Sequence, residues 1–524
     1  MAKTKKLIQL GGQRLNLNQT LNDKFKFQYF SLADPKDVFA MQQELLDEKH
    51  QEHLDPKYSN TLFILGNQSM VYIMPKLIKD LPANNIIYQQ GENFSDEIGE
   101  ALSYKNAQSA NLADVDEVTQ LIEQVYFGGQ FGDRLDKDRI DVNSELLPNM
   151  TQTGSGQISF HNLTLPDQVQ AINFQMTLAQ GKDHTLMEFW PEYKLQGTGK
   201  VQFKLYFLDV ETDQIVKQLT VSESDLDQPV AYETTKKPTN LYVSVFLQGT
   251  IESFTLRRLH IRNRRWNLGT YMVGSKTLTD QQNYRGQIAT YFNPGDLKPP
   301  LNVYFSGYRT AEGFEGGRMM SNISSAPYLL IADERMEGGS FYVGSKEFER
   351  QLIATIKDCL KKLNFSNKEL VLSGISMGTT AALYYATDLS PAAVIVGKPL
   401  VNLGTIAKNS RLHRPADFLT SLDLLLMHEG STDQKAQDHF NQYFWNHFKN
   451  GHFAKTIFAI AYMKQDDYDK GAYNELFNYF KQQKQAIKVI SKGLIGRHND
   501  DTDGIVNWFV RQYHNLMQEK FDRS

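Results

Sequence analysis

Through the second half of the chain, short, mostly apolar runs alternate with longer stretches in which apolar residues recur every three or four positions. Residues 302–305, 328–332, 369–373, 392–396, 456–461 and 486–490 are of the first kind. Phe348, Leu352, Ile356 and Leu363 trace the buried stripe of a helix over 345–364, and a last helix is expected over 504–520. Buried strands interleaved with amphipathic helices predict an α/β fold with a parallel sheet. Between 157 and 266 the period changes to two. Ile172, Phe174, Met176 and Leu178 alternate with polar neighbours, as do Val201, Phe203, Leu205 and Phe207, then Leu241, Val243, Val245 and Leu247. Half-buried strands broken by Gly, Pro, Asp and Asn predict an all-β sandwich of jelly-roll kind.

The first 145 residues read as a small α/β region. Strands are expected over 61–65 and 85–88, and a helix over 69–79. A further helix opens at Asp114, with Glu117 three residues on as a capping box and Val118, Leu121, Ile122 and Val125 at helical spacing. The polar, turn-rich stretch 132–156 reads as a linker. The expected organisation is therefore 1–145, an N-terminal α/β region; 157–268, a β-sandwich; and 270–524, an α/β-hydrolase-like domain. A mostly helical insertion at about 397–455 falls where such domains carry a lid.

Composition narrows the function classes. The 524 residues carry 56 Lys plus Arg against 60 Asp plus Glu, a net charge of −4, which gives no global reason to expect nucleic acid as a partner. The single cysteine, Cys359, excludes an intrachain disulfide and lies on the apolar side of its helix, as a small buried hydrophobe does. The basic start at Met1 lacks the apolar run of a signal peptide, and no stretch of about 18 uncharged apolar residues exists to span a membrane. The expected setting is cytoplasmic, with any membrane contact peripheral. Arg257, Arg258, Arg262, Arg264 and Arg265 cluster near Trp266, and a solvated strand face is the simplest reading of them. His413, His428, His447 and His452 fall in the insertion without metal-ligand spacing, and no phosphate cradle is visible, so neither metal nor bound cofactor is expected.

The sharpest chemistry lies at Gly374-Ile375-Ser376-Met377-Gly378. A buried strand precedes it and the helix-forming run 379–385 follows it, which is the strand–turn–helix context of a nucleophile elbow. A serine hydroxyl is a weak nucleophile until a base takes its proton, and the base needs a carboxylate to orient it. In this fold the chain order is Ser, acid, His. Asp466 and Asp467 follow the strand at 456–461, and His498 sits on a glycine-rich loop after the strand at 486–490. Asp466 is the first choice of acid and Asp467 a close second. The oxyanion hole is expected from the Met377 N–H and an N–H of the loop after strand 302–305, where Gly307 allows close backbone approach and Tyr308 or Arg309 can touch substrate.

Together, residues 374–382, 397–405 (Gly-Lys-Pro-Leu-Val-Asn-Leu-Gly-Thr), 466–469 (Asp-Asp-Tyr-Asp) and 496–500 (Gly-Arg-His-Asn-Asp) resemble the accessory Sec-system family of Gram-positive bacteria, in particular its second accessory secretion proteins. The similarity is strongest over about 290–520, and the three-part layout upstream fits it. The resemblance implies export of serine-rich-repeat glycoprotein adhesins with companion accessory Sec proteins and the accessory SecA motor. It also implies O-acetylation of N-acetylglucosamine on the adhesin from an acetyl donor it does not identify. Position by position it implies Ser376 as nucleophile, His498 as base, and Asp466 or Asp467 as acid, a place where the family also uses Glu. The same three groups would serve an esterase or lipase with water as acceptor, and a non-catalytic export scaffold is the reading from another class.

Overall fold

The structure, a computed structural model, describes residues 5–17, 25–46, 53–126, 129–135, 140–154, 156–180, 185–336, 339–413, 418 and 421–523. The basic start at 1–4 lies outside the described residues. Among the described residues the strands form three sheets.

The first is a five-stranded parallel sheet in the order Phe25–Phe30, Lys5–Leu10, Leu62–Leu65, Ile86–Gln89, Gln108–Ala110. Its two faces are covered by separate apolar clusters, one around Phe63 and Ile78 and one around Ile64 and Val118. The stretch expected as one helix over 69–79 is two pieces, a 3₁₀ turn at Met70–Ile73 and a helix at Pro75–Asp80. Pro75 is the reason: it has no N–H to continue the preceding turn, and it suits the first helical position. Asp114 caps the helix Val115–Leu121 by accepting the Glu117 N–H.

The middle region is antiparallel throughout. As alternation predicts, it is all-β, and its described strands are hydrogen-bonded into one continuous nine-stranded sheet. Its spine is the 25-residue strand Thr239–Asn263, whose first half pairs with Lys200–Asp209 and whose second half pairs with Leu186–Gly197. The halves meet at Gly249, where φ is +87° and the register against Gln157–Gln180 slips. Bulges of this kind bend a strand, and alternating residues from both halves, among them Val243, Leu247, Ile251 and Leu256, enter a single core. The stretch 132–156 is not a free linker. Gly132–Leu135, Ile140–Val142 and Met150–Thr153 each pair with a long strand of this sheet. They are too short to show a hydrophobic period.

The C-terminal sheet has eight strands in the order Ser275–Asp280, Gly286–Asn293, Tyr328–Asp333, Leu301–Phe305, Leu370–Ile375, Ala393–Gly397, Ile457–Met463, Lys488–Leu494. The first two run antiparallel and the rest are parallel. Helices cover both faces, Lys346–Leu363 and Met377–Tyr384 on one and Thr502–Phe521 on the other. This is the α/β-hydrolase arrangement. In the insertion, helices Leu403–His413, Ser421–Glu429 and Gln434–Phe448 pack over the first of these faces. Cys359 is buried in the same core, and burial pushes its thiol up to about 12. Among the described residues no helix is long and apolar enough to cross a membrane.

Candidate active site

Leu370–Ile375 is buried as far as Gly374 and delivers the chain to a turn at Ser376, where φ is +55° and ψ −121°. A non-glycine residue in that region is strained, and the surroundings hold it there. The two flanking glycines show how. A methyl on Gly378 would stand 2.0 Å from the Phe305 carbonyl oxygen, and one on Gly374 would stand 2.4 Å from the Gly378 backbone. Only bare backbone lets the turn close this tightly. The helix Met377–Tyr384 begins at once, and the Met377 N–H has no hydrogen-bond partner among the described residues. A helix N-terminus beside the serine favours negative charge at that point.

Ser376 Oγ lies 2.9 Å from His498 Nε2, and His498 Nδ1 lies 2.8 Å from Asp466 Oδ2. Three side chains from strand ends spread over 122 residues of chain thus form one line. Asp466 Oδ1 accepts the Tyr468 and Asp469 N–H groups, which fixes the carboxylate plane. Its neighbour does something else: Asp467 Oδ1 accepts the backbone N–H of His498 and so holds the loop rather than the imidazole. Asp469 anchors this turn to the base of the insertion by accepting the Val401 and Asn402 N–H groups.

The electrostatics favour a neutral imidazole. Burial lowers the His498 pKa, and the Lys398 ammonium adds to the effect; the Asp466 hydrogen bond and charge oppose it but do not win. Lys398 itself is buried, sits at φ +60°, and donates to Thr502 Oγ1 at 3.4 Å. Tyr468 covers the imidazole from the side, its ring centroid 4.2 Å away. A neutral imidazole bonded to a serine hydroxyl on one nitrogen and a carboxylate on the other can take the serine proton as the oxygen attacks a carbonyl carbon.

The loop after Leu301–Phe305 runs beside the elbow, and a methyl on Gly307 would stand 3.1 Å from the Ile375 carbonyl oxygen. The Gly307 N–H donates to Glu315 Oε1 at 2.5 Å, and the Tyr304 hydroxyl donates to the same oxygen. Tyr308 is partly exposed, with its ring edge-on to Phe418 of the insertion, which also packs on Phe341. Arg309 turns back to donate to the Gly313 carbonyl. Glu315 and Phe418 carry no motif that a sequence reading could find, because each meets the site only through folding of its own loop.

The arginine cluster at 257–265 is not a solvated face. Arg257, Arg258, Arg262 and Arg265 are each buried. Among the described residues, no group of three or more His, Cys, Asp and Glu side chains could hold a metal ion.

Comparisons with known proteins agree over nearly the whole chain. A family model described as the accessory Sec system GspB-transporter matches residues 5–523. An accessory Sec system protein of Staphylococcus aureus is 39% identical over 444 residues, covering 84% of this chain and 81% of that protein. One of Streptococcus gordonii is 35% identical over 424 residues, covering 80% of this chain and 81% of that protein. Among solved structures, a glycosylation-associated protein complex from Streptococcus agalactiae matches with a TM-score of 0.84 and 30% identity, covering 99% of both chains.

Proposed function

The chain belongs to the accessory Sec system GspB-transporter family, and from that premise we propose that it is a serine-dependent O-acyltransferase acting on the glycoprotein its system exports. The acceptor is a sugar hydroxyl, N-acetylglucosamine on a serine-rich-repeat adhesin, and the acyl group is acetyl. The single observation that carries this reading is the unbroken line from Ser376 Oγ through His498 to Asp466 on a strained elbow.

The steps follow from that geometry. Ser376 Oγ attacks the acetyl carbonyl carbon while its proton passes to His498 Nε2. Asp466 accepts the Nδ1–H and stabilises the imidazolium without taking its proton. The Met377 N–H is the donor to the oxygen that becomes negative; the Gly307 N–H, expected as a second donor, is held by Glu315 Oε1 instead. Collapse of the adduct expels the donor's leaving group, which takes the proton from His498, and leaves acetyl on Ser376. A sugar hydroxyl then gives its proton to His498 and attacks the ester. Collapse of the second adduct breaks its bond to Ser376 Oγ, which takes the proton back from His498, and releases the acetylated sugar.

A transferase must keep water from the acyl-enzyme, and Phe418 over Tyr308 is the closing element. The expected setting is cytoplasmic, beside companion accessory Sec proteins and the accessory SecA motor, with peripheral membrane contact at most. The similar structure from Streptococcus agalactiae is of a glycosylation-associated protein complex, which supports the companion partners. The test is transfer of acetyl from an activated ester to N-acetylglucosamine by the wild type beside Ser376→Ala. Product from the wild type alone supports the reading; hydrolysis without transfer replaces it with an esterase.

A further inference from the structure

The loop 306–316 borders the nucleophile, yet most of what holds it comes from outside the C-terminal sheet. Glu312, at its middle, is fully buried and accepts from His260 Nδ1 at 2.5 Å, Arg262 Nε at 3.0 Å and the Tyr271 hydroxyl at 3.1 Å. His260 and Arg262 belong to the spine strand Thr239–Asn263 of the middle region. Arg134, on the short strand Gly132–Leu135, donates to the Thr310 carbonyl in the same loop and to the Met336 carbonyl beside it. Gln130 completes the set: its Oε1 accepts the Phe314 N–H at 2.7 Å, and its Nε2 donates to the Phe314 carbonyl.

These contacts are specific in a way that plain domain packing is not. Burying Glu312 alone would cost several kcal/mol, so a carboxylate here persists only with its cationic partners in place. The charges around His260 are Glu312 and Glu192 on its two ring nitrogens, with Arg262 next to it on the strand. Glu334, from the C-terminal sheet, completes the cluster 3.3 Å from Arg262 and accepts the Gly313 N–H. Removing any one of these cations leaves the buried Glu312 charge less compensated, which loosens the hold on the loop.

We propose that Arg134, His260 and Arg262 are positioning residues for acyl transfer. They act through Glu312 and the Thr310 carbonyl to hold loop 306–316 against the Ser376 elbow, so that the middle region completes the active site. The proposal rests on the reading of Ser376 as nucleophile. It makes the two regions one functional unit: whatever loosens the β-sheet from the C-terminal domain lowers turnover without touching Ser376, His498 or Asp466.

The experiment uses the full chain with Glu312→Gln and, as the milder change, Arg134→Met, which keeps the alkyl packing and removes the Thr310 tether together with the bond to Met336 and the 3.6 Å ion pair to Glu312. Two readouts are taken on variants shown to be folded by circular dichroism: kcat and KM on p-nitrophenyl acetate, and amide hydrogen exchange over 306–316. A displaced catalytic loop lowers kcat, by about 10²-fold where the shift approaches 1 Å, and leaves KM nearly unchanged. Exchange over 306–316 rises while that of the elbow helix stays at the wild-type rate. A purely structural role would lower the melting temperature and leave kcat alone; that result, or unchanged exchange in the loop, overturns the proposal. If Ser376→Ala leaves turnover unchanged, the reading of Ser376 fails instead, and exchange over 306–316 still decides whether the tether exists.

Discussion

Asp466 gives His498 only one of its carboxylate oxygens, Oδ2 at 2.8 Å from Nδ1, and keeps the other for the N–H groups of its own turn. The orientation of the base is therefore tied to the backbone of residues 466–469. Asp467 accepts the His498 N–H instead. The two adjacent aspartates have different jobs, and their variants should separate. Asp466→Asn presents an amide where the imidazole needs an acceptor, and kcat on an activated ester should fall by about ten-thousand-fold. Asp467→Asn loses one loop contact and should cost about tenfold or less, on the scale of a single hydrogen bond. Equal losses in the two variants would contradict the assignment.

The pH profile follows from the lowered His498 pKa. Below that pKa the imidazole is protonated and cannot accept the Ser376 proton, so activity falls with falling pH. Because burial and Lys398 both hold the pKa down, the acid limb of kcat/KM should lie below the usual histidine value of about 6.5. Lys398→Met removes a positive neighbour, which favours the imidazolium and should move the limb to higher pH. A limb that stays put would exclude Lys398 from tuning the base.

Gly378 tolerates no side chain, since a methyl there meets the Phe305 carbonyl oxygen at 2.0 Å. Gly378→Ala should destabilise the fold by about 1–3 kcal/mol through overpacking and should misplace Ser376 as well. Chemical denaturation measures the first effect and ester turnover the second. An alanine variant with wild-type stability and turnover would show that the elbow is not closed this tightly.

Phe418 packs on both Tyr308 and Phe341 at ring-centroid distances of 5.7 and 5.8 Å. Phe418→Ala opens this cover, and the ratio of hydrolysis to transfer should rise while formation of the acyl-enzyme persists. A fall in acylation with an unchanged ratio would mean that Phe418 shapes donor binding rather than excluding water.

Much of the site was legible because its chemistry is written in short local patterns. The glycines around Ser376, the apolar strand before it and the chain order to His498 are all readable without coordinates. The choice between Asp466 and Asp467 was not, because it depends on which carboxylate the turn at 466–469 aims at the imidazole. The arginines near Trp266 misled for a related reason. Alternation in a strand says that one face differs from the other, but it does not say whether the polar face meets water or a second domain. Arg262 and His260 meet Glu312, 50 and 52 residues further on, across a fold that no periodicity records. The strands at 132–135, 140–142 and 150–153 escaped notice because three or four residues cannot show a period, although Arg134 on the first of them reaches loop 306–316.

The measurement that bears most directly on the central claim is turnover of p-nitrophenyl acetate by the wild type beside Ser376→Ala, with mass spectrometry for an acetyl group on residue 376. The account predicts a burst or steady turnover in the wild type, an acetyl trapped on Ser376, and neither in the folded variant. Equal turnover in both folded proteins, with no acetyl on Ser376, would contradict it.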